Sequence, residues 1–138
     1  MNPDLVVAIG IPGPRGADGP PGSSDLLQIT AGAVLSGHRV AAQDAAGRAI
    51  YADSGADTAR AVIGITEHAS SDGQPVTVRQ FGAMVWPAGG LTPDAPLFLG
   101  ADGNLTHTPP AAGWVRQIAV ALATDRIQVG IGPAFRQE

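Results

Sequence analysis

A glycine stands at every third position from residue 10 to residue 22, and this repeat constrains the N-terminal part of the chain more than any other feature. In a collagen triple helix, three chains wind so closely that only glycine fits at the axis. The repeat therefore predicts a collagen-like stalk over residues 10–24, about 45 Å long at roughly 3.1 Å per residue. Its axis would be formed by Gly10, Gly13, Gly16, Gly19 and Gly22.

The prolines at positions 12, 14, 20 and 21 all occupy X or Y positions of the triplets, and none replaces a glycine. A flexible Pro/Gly linker is the alternative, but its composition alone would not favour this placement. Ordering the backbone costs roughly 1–2 kcal/mol per residue, and a short rod buries little apolar surface. We therefore expect a homotrimer that is held together mainly by another part of the chain.

Composition and charge exclude several classes of protein. The 138 residues contain no cysteine, so a disulfide framework, a thiol nucleophile and a cysteine-ligated zinc site are excluded. The net charge is −4, and the eight basic residues are scattered arginines, whereas a nucleic-acid groove would need a basic stripe. Aromatic residues make up only 4% of the chain, so a monomer would have a thin core and subunit contacts would stabilise it.

Residues 1–9 contain a short apolar strip formed by Leu5, Val6, Val7 and Ile9, with Ala8 between them. The strip is too short to span a membrane, and no positively charged region precedes it as in a signal peptide. We expect no membrane partner. A strip of this kind ahead of a stalk is interpreted as an anchor that docks onto a larger body.

From residue 25 to residue 138 the sequence alternates short apolar strands with turns, which predicts an all-β sandwich or barrel. Turn residues occur at 45–47, 71–73, 102–103 and 124–125. Residues 57–60 are compatible with one helical turn, and nothing longer looks helical. The predicted strands cover residues 26–30, 38–43, 49–52, 61–67, 75–80, 83–86, 95–99, 104–108, 114–123 and 126–132.

Several turn and core motifs follow one another over roughly residues 30–133. They are Ser36-Gly37-His38-Arg39, Ile50-Tyr51-Ala52-Asp53, residues 62–66, residues 73–79, Gly82, residues 91–100, residues 103–106, Pro109-Pro110 and residues 127–129. The order of these motifs resembles a small β-domain of tailed-bacteriophage virion proteins, both head decoration (cement) proteins and fibres. The motifs are turns and core positions rather than catalytic residues. The collagen-like run departs from the usual pattern because it is N-terminal and very short.

This resemblance implies a trimer attached to a virion, with no active site and no cofactor. The expected partners are the major capsid protein or another virion protein. Because the chain begins at Met1 and resembles cement proteins, we expect a head decoration protein or head fibre on the virion surface. A tail-fibre or receptor-binding subunit is the main alternative, and binding to a host glycan stays open.

One loop has the composition of a protease site. Residues 53–57 read Asp-Ser-Gly-Ala-Asp, and retropepsin-like proteases present one carboxylate per subunit on such a loop. However, Tyr51-Ala52 stands where that family has aliphatic residues, and a threefold assembly conflicts with a twofold dyad. A polar turn explains the same residues, and the protease remains a remote alternative.

Histidines and tryptophans are the remaining candidates for a site. His38, His68 and His107 have no metal-site spacing, although a trimer axis could gather three copies of His107 around an ion. We predict no metal site. Trp86 and Trp114 are the largest apolar side chains, and we assign them to the core or the trimer interface. A carbohydrate platform is the alternative if their rings are exposed.

Overall fold

A computed structural model describes residues 25–137, which fold into eleven strands and two short 3₁₀ helices. The helices span Asp57–Ala61 and Ala101–Gly103. Within these residues no helix has the length and apolarity needed to cross a membrane. The strands are β1 Leu26–Thr30, β2 Val40–Gln43, β3 Ala49–Tyr51, β4 Val62–Thr66, β5 Pro75–Arg79, β6 Phe81–Val85, β7 Pro96–Leu99, β8 Leu105–Thr106, β9 Gly113–Ala123, β10 Arg126–Gly130 and β11 Ala134–Gln137.

The first five strands form one antiparallel sheet in the order β1-β5-β4-β2-β3. Its two edge strands are brought together, because Ala31 at the end of β1 forms a parallel bridge with Ala49 of β3. The backbone N–H of Gly32 also donates to the carbonyl oxygen of Ala49 at 2.7 Å. The sheet therefore curls towards a closed barrel, which removes the exposed edges of an open sheet.

Close strand packing in this curled sheet requires glycine at position 64. A Cβ atom at Gly64 would collide with the carbonyl oxygen of Arg79 and would lie 2.7 Å from a methyl group of Val78. Gly64 belongs to β4, and both contacts belong to the neighbouring β5. The absence of a side chain at Gly64 thus allows β4 to approach β5.

The other six strands form a second antiparallel sheet in the order β6-β10-β9-β7-β8, with β11 also paired to β9. The eleven-residue β9 is its central strand and pairs with three others. Strand β10 ends at Gly130, and β11 resumes the pairing after Pro133, whose ring nitrogen has no hydrogen to donate.

Two apolar clusters stabilise the fold. The main cluster lies between the sheets and joins residues of the curled sheet, such as Val40 and Ile65, to residues of the second sheet, such as Leu97 and Ile127. The second cluster belongs to the curled sheet alone and includes Leu35, Val76 and Val78. Strand β2 contributes to both clusters, because Val40 and Ala42 face the first and Ala41 faces the second.

These observations confirm the all-β prediction, and each of the ten predicted strands overlaps an observed strand. The helical turn predicted at 57–60 is the first 3₁₀ helix. Strand β11 was missed, and β6 begins two residues earlier than predicted. The predicted anchor at residues 1–9 and the collagen-like stalk at 10–24 lie outside the described residues, so both remain predictions, as does the trimer.

Candidate functional site

A polar cleft of the described domain has a volume of about 470 Å³ and lies where the two sheets meet. One wall is the loop before β2, with His38 and Arg39, and another is Trp86 and the residues that follow β6. Asn104 and Leu105, at the start of β8, complete it. The cleft therefore combines an imidazole, a guanidinium, an indole and a carboxamide.

The loop that carries His38 is held by a fully buried threonine. The Thr66 hydroxyl donates to the carbonyl oxygen of Ser36 at 2.7 Å and accepts the backbone N–H of Arg39 at 3.0 Å. The carbonyl oxygen of Thr66 accepts the N–H of His38 at 2.8 Å. These bonds hold His38 in a left-handed conformation, at φ 60°, that non-glycine residues adopt uncommonly.

His38 and Trp86 contact each other edge to face, with ring centroids 5.8 Å apart and planes at 85°. Trp86 is partly buried and packs against the main cluster, while its backbone N–H donates to the carbonyl oxygen of Asp125 at 2.7 Å. The main cluster thus holds the side chain of Trp86, and the hydrogen bond to Asp125 holds its backbone. Only part of its surface is available to the cleft.

Arg39 and Asn104 are positioned by the 3₁₀ helix at Ala101–Gly103. A terminal nitrogen of Arg39 donates to the carbonyl oxygen of Asp102 at 2.9 Å, and its guanidinium lies 5.4 Å from the Tyr51 ring centre. The Asn104 amide donates to the carbonyl oxygen of Ala101 at 2.8 Å. This arrangement suits hydrogen bonding and stacking with a polar ligand, and it contains no activated nucleophile.

The Asp53 loop is a hydrogen-bonded turn. One carboxylate oxygen of Asp53 accepts the N–H of Gly55 at 2.8 Å, and the other accepts the N–H of Asp102 at 3.4 Å. The N–H of Asp53 donates to the hydroxyl of Thr58 at 3.0 Å. A side chain that accepts from the backbone two residues later is typical of turn-forming aspartates. The carboxylate thus ties this turn to the second 3₁₀ helix.

His107 is held by the backbone through both of its ring nitrogens. Its Nε2 atom accepts the N–H of Thr92 at 3.0 Å, so its Nδ1 atom donates to the carbonyl oxygen of Pro96 at 2.9 Å. His68 is held in the same way between Thr77 and Ala69. Neither ring therefore has a free lone pair for an ion, and residues 25–137 contain no cluster of three potential metal ligands.

Trp114 packs against the main cluster and is also contacted by two arginines. The guanidiniums of Arg60 and Arg136 each lie 5.5 Å from the indole ring centre. Arg136 is the cross-strand neighbour of Trp114 on β11, whereas Arg60 belongs to the first 3₁₀ helix. The indole therefore links three elements of the domain, and the cations occupy surface that a sugar ring would need.

Arg116 lies two residues after Trp114 on β9 and contacts the first 3₁₀ helix and the segment before β11. Its Nε atom donates to the carbonyl oxygen of Gly132, and a terminal nitrogen donates to that of Ala59, both at 2.8 Å. Burial lowers the pKa of this guanidinium from its usual value, because desolvation disfavours the charged form. Arg116 thus has a structural position between the first 3₁₀ helix and the segment before β11.

An apolar surface on strand β6 is the second candidate for an interaction. Phe81, Ala83 and Val85 alternate along this edge strand on the outer side of the second sheet, and we call them the β6 apolar face. Phe81 is 56% exposed and Val85 is 61% exposed. The sequence reasoning missed Phe81, although an uninterrupted apolar run over 81–85 could have indicated a strand with two apolar faces.

The structure places the predicted site residues in different environments. His38 and Trp86 share the cleft, whereas Asp53, His68, His107 and Trp114 each have separate structural contacts. Anchor residues Leu5, Val6, Val7 and Ile9 and the axial glycines lie outside residues 25–137. Comparison of the chain with known protein families gives no match. Comparison with curated proteins gives none either.

Proposed function

We propose that this protein is a non-enzymatic structural protein of a bacteriophage virion that decorates the capsid as a homotrimer. The observation that carries the proposal is the run of five Gly-X-Y triplets directly ahead of an all-β domain. A triple helix needs three chains, and a rod of this length buries too little apolar surface to hold them. The β-domain then supplies the trimer contacts.

Attachment to the shell is assigned to the apolar strip formed by Leu5, Val6, Val7 and Ile9. A strip that buries about 300 Å² of apolar surface would contribute several kcal/mol at about 25 cal/mol per Å², before ordering costs. Three linked strips would add avidity, because the second and third bind as intramolecular partners. The stalk would separate this anchor from the β-domain on the virion surface.

The absence of catalysis is supported by the geometry of the protease-like loop. Both carboxylate oxygens of Asp53 accept backbone N–H groups of the same chain. In an aspartic protease, two carboxylates share a proton across the subunit interface instead. A turn-forming role accounts for both of these hydrogen bonds, and no catalytic role is assigned to the carboxylate.

Deleting residues 1–9 tests the proposal in phage particles that carry the protein. We expect the truncated chain to remain a trimer in solution but to be lost from the heads, while host adsorption stays unchanged. A matched control deletes only Asn2, Pro3 and Asp4, which precede the apolar strip, and should leave the protein on the heads. Electron microscopy and quantitative blotting of purified particles measure the occupancy.

Two results would contradict the decoration role. If the truncated protein stays on the capsid, the anchor is elsewhere in the chain. If particles with intact heads fail to adsorb to the host, the protein is a tail fibre or receptor-binding subunit.

A receptor-binding role is the second candidate function, and the cleft between His38 and Trp86 is the observation that favours it. Its imidazole, indole and carboxamide groups suit a polar ligand such as a host glycan. Binding of purified protein to a glycan array, compared with an Asn104→Ala variant, tests this candidate. Glycan binding that the variant loses would support a receptor-binding role, and no binding by the parent protein would remove it.

A further inference from the structure

The chain enters the described domain against the first residues of β6. The carbonyl oxygen of Asp25 accepts the backbone N–H of Gln80 at 2.7 Å. A Cβ atom at Gly82 would lie 3.3 Å from a carboxylate oxygen of Asp25. These contacts involve the residues before and after Phe81 in the chain, so they place the residue that follows the collagen-like segment at the start of β6.

Chains that leave a triple helix start out close together around the axis. If residues 10–24 form the proposed stalk, three copies of Asp25 surround the threefold axis, and the surface next to Asp25 faces other copies of the chain. Two large apolar side chains lie there, Leu26 at 43% exposure and Phe81 at 56%. We infer that the β6 apolar face is the surface through which three copies of this chain associate.

Residues 25–137 leave this face exposed. Phe81 is the cross-strand neighbour of Gly130, which offers no side chain, and a Cβ atom at Gly130 would have no neighbour within 4 Å. The next row of cross-strand neighbours on this face consists of Ala83, Gln128 and Val120, one from each of three adjacent strands. An exposed aromatic group beside an open space is typical of the centre of an interface.

Strand β6 also lacks the usual protection of an edge strand. Native edges carry lysine, proline or inward charges that prevent pairing with other chains. The sequence Phe-Gly-Ala-Met-Val of β6 contains none of these. In contrast, the curled sheet joins its edges through Ala31 and Ala49. Within residues 25–137 no further strand pairs with this edge, and its position beside Asp25 makes a second copy of the same chain the partner that we assign to it.

A cyclic trimer is closed by two different patches on each subunit. The β6 apolar face of one copy would thus contact the adjoining surface of the next copy around Leu26, rather than its own equivalent. This inference rests on the proposed homotrimer and names its contact surface. In this trimer the main subunit contact does not include Trp86 or Trp114, because both pack against the core of their own chain.

Phe81→Glu in the full-length chain tests this surface, with Phe135→Glu as the matched control. Phe135 is 63% exposed on β11, so both variants place a charge at an exposed phenylalanine. Sedimentation velocity should give about three times the 13.9 kDa chain mass for the parent and the control. Phe81→Glu should raise the concentration of half-dissociation by about tenfold or more, with an unchanged far-ultraviolet circular dichroism spectrum.

Distances between spin labels provide a second test, which does not place a charge in the interface as Phe81→Glu does. The chain has no cysteine, so Ala83→Cys and Val34→Cys each give a single labelling position. Val34 is 73% exposed and follows the end of β1 that is remote from Leu26. Dipolar spectroscopy on the full-length trimer should give a shorter distance between copies for position 83 than for position 34.

The possible failures are distinguishable. A parent protein that sediments as a monomer would overturn the homotrimer itself. A parent trimer that Phe81→Glu does not weaken, or that Phe135→Glu weakens equally, would overturn only the β6 contact surface. A longer distance at position 83 than at position 34 would do the same.

Discussion

Whereas the curled sheet joins its own edge strands and covers an apolar cluster of its own, the second sheet ends at β6 with large apolar side chains exposed. Ala31 and Ala49 close the first sheet, and Leu35, Val76 and Val78 belong to its separate cluster. In the second sheet, Phe81 and Val85 face outward. Both sheets share the main cluster on their facing sides.

This difference shows how a chain with few aromatic residues distributes its apolar surface. Small residues such as Ala41 and Ala49 let the curled sheet close tightly around its cluster. The second sheet keeps two of the three phenylalanines of the chain outside the core, at positions 81 and 135. The curled sheet therefore encloses an apolar cluster of its own, whereas the second sheet exposes large apolar side chains at β6 and β11.

The largest loss of stability is expected from a substitution in the curled sheet. Gly64→Ala should lower the free energy of unfolding by about 3 kcal/mol or more, because the added Cβ collides with the carbonyl oxygen of Arg79. Gly130→Ala in the second sheet is the matched control, since a Cβ there meets nothing within 4 Å. Its expected effect is within about 0.5 kcal/mol. Urea denaturation followed by circular dichroism measures both, and equal effects would contradict the difference between the sheets.

A smaller effect is expected where the first 3₁₀ helix is tied to the second sheet. Arg116→Met should lower the free energy of unfolding by about 2 kcal/mol, because the carbonyl oxygens of Ala59 and Gly132 lose a charged donor. The lowered pKa of Arg116 indicates a desolvation cost that the variant avoids, which limits the loss. The exposed Arg126→Met is the control, and an equal loss there would contradict this assignment.

The smallest effect concerns the Asp53 turn. Asp53→Asn retains one oxygen that accepts the N–H of Gly55 and loses one acceptor for Asp102, so we expect a loss of about 1 kcal/mol or less. Peptide hydrolysis should be absent from both parent and variant, as measured with a mixed peptide library. Pepstatin-sensitive cleavage by the parent that the variant loses would show that the loop is catalytic.

Much of the fold was predictable because strand patterning is local. The alternation of Ile127 and Val129 with polar neighbours indicates one buried face, and both are fully buried. The hairpin turns at 45–47 and 124–125 were likewise visible as short glycine-containing or polar links. Strand β11 was not predicted, because four residues after Pro133 have no clear alternation and pair only with the distant start of β9.

The candidate sites were less predictable, because they join residues that are remote in the chain. Nothing in the sequence pairs His38 with Trp86, and their contact depends on how the loop before β2 meets the end of β6. His107 was a candidate metal ligand because histidine commonly binds metal ions, but both of its ring nitrogens form hydrogen bonds with the backbone of Thr92 and Pro96. Whether a side chain is free to bind a ligand depends on its neighbours in space, and the sequence alone does not show which residues those are.

The sequence by itself determined the all-β class, the positions of most strands and the glycine period that predicts a trimeric stalk, because each depends on residues that are neighbours along the chain. Only the tertiary structure decided that one sheet joins its edges through Ala31 and Ala49, while β6 is an edge strand among residues 25–137. It also decided that Asp25 lies beside Phe81. The physical reason is that strand order and exposed edges depend on long-range pairing, which local propensity does not specify.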